Sequence, residues 1–167
     1  GSSPLIISCV DNVKTRAMIK EVFDASPTHV YWIDSGNEDM AGQVVLSARI
    51  PQFKVATMAQ TGSYPLPDVF QLYPDLYTKL KADKFASELS CAELAVSSPQ
   101  HGFVNLTAAT LALNFIFPLI QIQPIYAHVV EFSIKNKYAH RPLNVSTINS
   151  WKTKSPLWAD FDPSQVR

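Results

Sequence analysis

The chain carries only two cysteines in 167 residues, Cys9 and Cys91. Two thiols exclude a disulfide framework and a four-cysteine zinc site. Five glycines are present, and none builds a Gly-x-Gly-x-x-Gly turn or a phosphate-cradling Gly-Lys-Ser/Thr motif. A nucleotide site made from this segment alone therefore has no glycine-rich place for the phosphates. The four histidines, at 29, 101, 128 and 140, show no metal-ligand spacing and read as structural or solvated. Excess charge is also lacking. Lys plus Arg and Asp plus Glu number 14 each, with no basic patch, which argues against a nucleic-acid partner. The longest strongly apolar stretch, residues 111–122, is interrupted by Asn114, Pro118 and Gln121 and reads as too short to span a bilayer. No signal peptide precedes Pro4, and Cys9 lies within a predicted strand where a buried thiol is ordinary. A reducing cytoplasm is the expected setting.

What is present is a core-forming composition: 47% hydrophobic and 17% charged residues, enough for one domain with a substantial interior. Leu5-Ile6-Ile7-Ser8-Cys9-Val10 is an apolar, β-branched run of the kind a parallel strand covered on both faces requires, and it ends in Asp11. Residues 13–23 then carry apolar side chains at helical spacing, and residues 29–34 form a second β-branched and aromatic segment. Residues 35–42 are polar with two glycines and predict a hairpin-like loop, after which residues 43–47 return as a third strand. The expected fold class is α/β, with a mixed sheet and flanking helices. Downstream, short helical segments are predicted over 68–73 and 75–85, the latter with Leu76 and Leu80 inward. A further strand or ordered crossover is read at 53–58. A long helix opens at 102–105 and runs to about Phe117, where Pro118 ends or kinks it. That helix is apolar on nearly every side, as a core helix or a subunit interface is. Residues 125–134 and 141–145 predict an antiparallel pair. A domain over 4–150 and a tail over 151–167 follow. A chain that enters on a central-type strand is expected to be the carboxyl-terminal part of a larger α/β unit.

The chemistry-bearing candidates are few. Asp11 sits at a strand's carboxyl end, the edge where open α/β sheets bind ligands, and a carboxylate there is placed to hold a metal ion carried by a nucleotide. The competing reading is that Asp11 or Asn12 merely caps the helix. Asp34-Ser35-Gly36-Asn37 either makes a turn in which Gly36 takes a positive φ, or lines the same strand-end crevice as Asp11. Cys91, between Ser90 and Glu93 in a loop-like stretch, is a candidate nucleophile, and a helix starting at Ala92 would lower its pKa.

With these residues in place, the sequence resembles the ThiF/MoeB/HesA superfamily, adenylating enzymes related to ubiquitin-activating enzymes. Val10-Asp11-Asn12-Val13-Lys14-Thr15-Arg16 matches its strand-end motif, and Ser35-Gly36 with Gly42-Gln43-Val44 matches its turn and returning strand. The resemblance is closer to the ThiF-like family of the plasmid-associated PRTRC system. Tyr31-Trp32-Ile33-Asp34-Ser35-Gly36-Asn37, Gly42-Gln43-Val44-Val45-Leu46, Ser90-Cys91-Ala92-Glu93-Leu94-Ala95 and Gln100 followed by Phe103-Val104-Asn105 occur in that family's order. The resemblance covers residues 4–145 and implies a Rossmann-like adenylating domain. Asp11 would bind the magnesium of ATP, with Asn12, Ser35 and Gly36 beside it. The substrate would be the C-terminal carboxylate of a small ubiquitin-like or sulfur-carrier protein, attacking the α-phosphate. Arg16 would brace the helix or the site rather than act directly, Cys91 would fall where some relatives use a thiol after adenylation, and a homodimer would be the usual assembly. The family's glycine-rich turn and its ATP-binding arginine and lysine lie upstream of the strand where this chain begins, and its paired Cys-x-x-Cys zinc motifs are missing. A non-catalytic interaction or scaffold protein on the same fold is the alternative.

Overall fold

The computed structural model describes residues 3–37, 40–51, 65–81, 102–123, 125, 127–136 and 138–144. Among these, the strands are β1 (Leu5–Ser8), β2 (Val30–Asn37), β3 (Ala41–Arg49), β4 (Ala127–Ser133) and β5 (Tyr138–Asn144). The helices are α1 (Val13–Ala25), α2 (Val69–Leu72), α3 (Asp75–Leu80) and α4 (Gly102–Ile120). The strands lie side by side in sequence order in one five-stranded sheet. β1 runs parallel to β2, from Leu5 opposite Tyr31 to Ser8 opposite Asp34. Every later neighbour is antiparallel. The predicted strand, crossover helix, strand and reversal is thus what the chain forms, and the α/β class with a mixed sheet and flanking helices stands.

The period-2 alternation of the strands sends neighbouring side chains to opposite faces, and each face meets its own helices. On one side Ile33, Val44, Leu46 and Phe132 pack with Val104, Ala108, Ala112 and Phe115 of α4. On the other, Val30, Trp32, Val45 and Val129 pack with Val13 and Phe23 of α1 and with Val69 and Phe70 of α2. Trp32 is fully buried, its ring 5.5 Å from that of Phe23. Truncating an aromatic at such a site to Ala costs about 3–5 kcal/mol.

Local chemistry sets the helix ends. Asn12 caps α1, its Oδ1 accepting from the Thr15 N–H at 2.7 Å. Asp68 caps α2 in a capping box with Gln71, as a polar side chain with a free oxygen does for the orphan amides of a first turn. Lys20 reaches from α1 to both Asp24 and Asp68, 2.8 Å from each, which ties α2 to α1. Leu76 and Leu80 of α3 face inward and Lys79 and Lys81 outward, as their spacing predicts.

Four expectations change. Among the described residues β1 is an edge strand, paired with β2 alone, and Leu5 is 36% and Ile7 51% exposed. Cys9 is exposed, since the strand ends at Ser8 and the thiol falls in the connection to α1. The reversal between β2 and β3 is tighter than residues 35–42: pairing continues to Asn37 opposite Gly42, and Gly36 lies in β2 opposite Gln43 with no left-handed φ. Helix α4 extends to Ile120 with Pro118 inside it. At 19 residues with mean hydropathy 1.8, it is long and apolar enough, by length and composition, to cross a membrane, contrary to the estimate from residues 111–122. The segments 52–64, 82–101 and 145–167, which hold the crossover read at 53–58, Cys91 and the tail, lie outside the described residues.

Gly42 marks a close approach to backbone in the sheet. A Cβ there would stand 2.7 Å from Phe132 Cζ and 2.8 Å from the Gly36 carbonyl oxygen, and the second of these is backbone that cannot swing away. Gly42→Ala is expected to destabilise the fold by about 1–3 kcal/mol, the range for overpacking a filled interior. A lowered urea midpoint with unchanged slope would show it, and an unchanged midpoint would refute it.

Candidate functional site

Two charged side chains meet in the interior beneath the β1–α1 connection. Arg16 is 5% exposed and Asp34 is fully buried. Val13 and Phe23 place Arg16 on the inward face of α1, and the pleat of β2 turns Asp34 toward that helix. Arg16 Nε donates to Asp34 Oδ1 at 3.0 Å and stands 2.9 Å from Oδ2. The Ser8 hydroxyl donates to Oδ1 at 2.6 Å, and the Trp32 indole N–H donates to that hydroxyl at 2.8 Å. Burial pushes the Asp34 carboxyl up, and the Arg16 charge and the Ser8 hydroxyl draw it back.

The far end of the guanidinium holds backbone. Arg16 Nη2 donates to the Val10 carbonyl at 2.8 Å and lies 3.4 Å from the Ser35 carbonyl. A Cβ on Gly36 would come to 3.4 Å of the same nitrogen and to 2.5 Å of Gln43 Nε2. Arg16 thus ties the connection after β1 to the carboxyl half of β2.

Of the other candidates, Asp11 lies three residues beyond the end of β1 and is exposed. Asn12 is spent on capping α1, so the capping reading is the correct one for Asn12, and the structure gives that role to it alone. Ser35 and Gly36 are buried within β2, where they were expected in a turn or lining a crevice. Asp34 is wholly buried, its carboxylate held by Arg16 and Ser8. Arg16 thus gathers Val10, Asp34, Ser35 and Gly36 around it. Cys91 lies outside the described residues. Among the described residues no cluster of three or more His, Cys, Asp or Glu side chains is assembled. The Ser8 and Trp32 contributions were not legible beforehand. The available signal was a lone Arg and a lone Asp, each set among apolar residues of a predicted helix and strand.

The two described histidine side chains are structural. His128 of β4 is buried, its Nδ1 3.3 Å from the Leu46 carbonyl oxygen, and burial pushes its pKa down to about 4. His29, packed on Tyr31 with ring centroids 4.5 Å apart, is lowered by the same cause.

Removing one member of a buried ion pair strands the other charge, which typically costs 3–5 kcal/mol. Asp34→Leu and Arg16→Met are each expected to lose stability in about that range by urea denaturation. The double variant Asp34→Leu/Arg16→Met should lose less than the sum of its parts by about 2 kcal/mol or more. Additive losses would show that the two are not coupled. His128 yields a pH prediction. Its folded pKa is depressed below the ordinary value, so its neutral form stabilises the fold above about pH 6.5, and that contribution falls away as pH drops toward 4. Stability measured from pH 7 to 4 should fall by up to about 3 kcal/mol more for the wild type than for His128→Gln. The difference cancels shared contributions, those of His29 and Asp34 included, and parallel profiles would refute it. No family model, curated protein or solved structure matches this chain.

Proposed function

We propose that the chain is part of a ThiF-like adenylyltransferase, a Rossmann-like domain that activates the C-terminal carboxylate of a small ubiquitin-like or sulfur-carrier protein with ATP and magnesium. One observation carries the reading: an exposed carboxylate, Asp11, in the connection that follows the carboxyl end of a strand running parallel to its neighbour. That is the edge at which open α/β sheets bind nucleotides. The motif resemblance from Val10 to Arg16 supports it independently.

The residues fit magnesium better than a cation that needs an all-protein cage. Mg²⁺ keeps several waters and takes one or two carboxylates together with phosphate oxygens, so one exposed acid without a surrounding ligand cluster suits it. When bound, the ion offsets the charge that builds up as pyrophosphate leaves. The protein's own part is positioning. Arg16, neutralised by Asp34, holds the Val10 carbonyl and so fixes the short stretch that carries Asp11. Asn12, by capping α1, fixes the other side of Asp11. Among the described residues the outer hydrogen-bonding groups of β1 are open to a further strand, which this reading assigns to a glycine-rich, nucleotide-binding segment.

ATP–pyrophosphate exchange tests the proposal in a protein that joins these residues to such a segment. Asp11→Ala is expected to reduce exchange by about 100-fold or more with the fold intact. Unchanged exchange would remove Asp11 from the mechanism. The 167-residue chain by itself is expected not to bind ATP, and micromolar binding in calorimetry would contradict this division of the site.

A further inference from the structure

Gly36 of β2 stands opposite Gln43 of β3, and Gln43 in turn stands opposite Glu131 of β4. A Cβ on Gly36 would fall 2.5 Å from Gln43 Nε2 and 3.2 Å from its carboxamide carbon, so the missing Cβ is what lets that carboxamide lie over the strand. Glycine inside a strand weakens it and marks a place where another group comes close. Here the group is a polar side chain with no hydrogen-bond partner among the described residues. Glu131 is only half engaged: Oε1 accepts from the Tyr73 hydroxyl at 2.9 Å, and no described residue takes Oε2. Gln43 and Glu131 are each half-buried, so both are reached from outside.

This row lies at the edge that carries Asp11. Gly36 is two residues beyond Asp34, which pairs with Ser8 at the end of β1, so the row stands level with the connection after β1. The strand alternation puts Gln43 on the face of Val45 and Glu131 on the face of Val129, the side that meets α1. Arg16 Nη2 joins the two places. It holds the Val10 carbonyl and comes to 3.4 Å of the Cβ position on Gly36. From β1 to β4 is three strand spacings, about 14 Å, which about four extended residues span.

Resting on the adenylation reading, we infer that Gln43 and Glu131 bind the main chain of the carrier's tail, seating the residues just before the adenylated carboxylate across β2–β4 and aiming their end at Asp11. A carboxamide presents a donor and an acceptor side by side, the complement of a peptide group, and the free Glu131 oxygen accepts a further N–H. Both contacts are made to backbone, so they guide an extended tail whatever its side chains. Gly36 takes part by default of a side chain: it fixes where the Gln43 carboxamide lies. Gln43 and Glu131 are therefore positioning residues, which act on where the tail is held and not on the reacting atoms.

Because contacts to main chain need no side chain, N-acetyltetraglycine serves as the probe. Titrated into the 15N-labelled chain, it is expected to move the side-chain amide resonances of Gln43 and the backbone amide of Glu131, with millimolar affinity. Gln43→Leu should weaken that binding about tenfold, the worth of roughly one hydrogen bond, with the rest of the spectrum as dispersed as before. Gly36→Ala should weaken it to a similar degree with the sheet intact, since the added Cβ meets the movable end of Gln43 and displaces it. No movement at Gln43 by about 20 mM peptide, or variants that bind as the wild type does, overturns the inference. Movement of the same resonances by ATP and magnesium instead of peptide gives the row to the nucleotide and overturns it as well. The two failures are read apart: absent pyrophosphate exchange in the joined protein sinks adenylation and leaves the peptide contact standing, whereas a silent Gln43 sinks the peptide contact and leaves exchange untouched.

Discussion

The ion pair between Arg16 and Asp34 is the constraint around which this end of the molecule is arranged. Taking two charges out of water costs several kcal/mol per ion, and their attraction offsets that only when geometry is good and the remaining donors and lone pairs are satisfied. Three elements contribute partners, while Asp34 Oδ2 faces the Arg16 charge with no hydrogen-bond donor of its own. β1 contributes the Ser8 hydroxyl, β2 contributes the Trp32 indole behind that hydroxyl and the Ser35 carbonyl, and the connection between β1 and α1 contributes the Val10 carbonyl. The pair therefore specifies how a short edge strand, a helix and a central strand meet. Apolar packing at Phe23 and Trp32 would not specify this to the same degree, because dispersion contacts are not directional.

This arrangement separates two kinds of acid. Asp34 is spent on structure, wholly interior and paired. Asp11 is exposed, held on a stretch that Arg16 anchors from beneath on one side and Asn12 caps on the other. A ligand-binding carboxylate needs its own charge unspent and its backbone fixed. The adenylation reading rests on that combination, more than on any assembled pocket.

Much of the fold was legible in the sequence. Residues 13–23 carry helical spacing because one face of α1 packs on the sheet, and α1 forms where that spacing lies. The antiparallel pairs β2–β3 and β4–β5 follow from β-branched segments joined by short polar stretches. The errors have physical causes. An apolar run such as Leu5-Ile6-Ile7 is compatible with either a central or an edge strand, since composition does not count neighbours. The polar, glycine-containing stretch at 35–42 suggested a loop. Gly42 serves instead to let Phe132 and the Gly36 carbonyl come close, which no local rule reveals. At the site, Asp11, Arg16, Ser35 and Gly36 could each be picked out. That Arg16 takes Asp34 as its partner, while Asp11 stays exposed, depends on which way β2 faces.

By itself the sequence determined the periodicities: a mixed α/β sheet, a helix start at Asp11 or Asn12, and an uncharged helix with apolar residues all round. These are local properties, set by spacing and side-chain chemistry within a few residues. Tertiary structure alone decided that β1 lies at the edge, that Asp34 is interior and Asp11 exposed, and which stripe of α4 is covered by the sheet. Those outcomes depend on contacts between residues far apart in the chain, such as Ser8 with Asp34 and Ile33 with Val104, and no window along the sequence contains both partners.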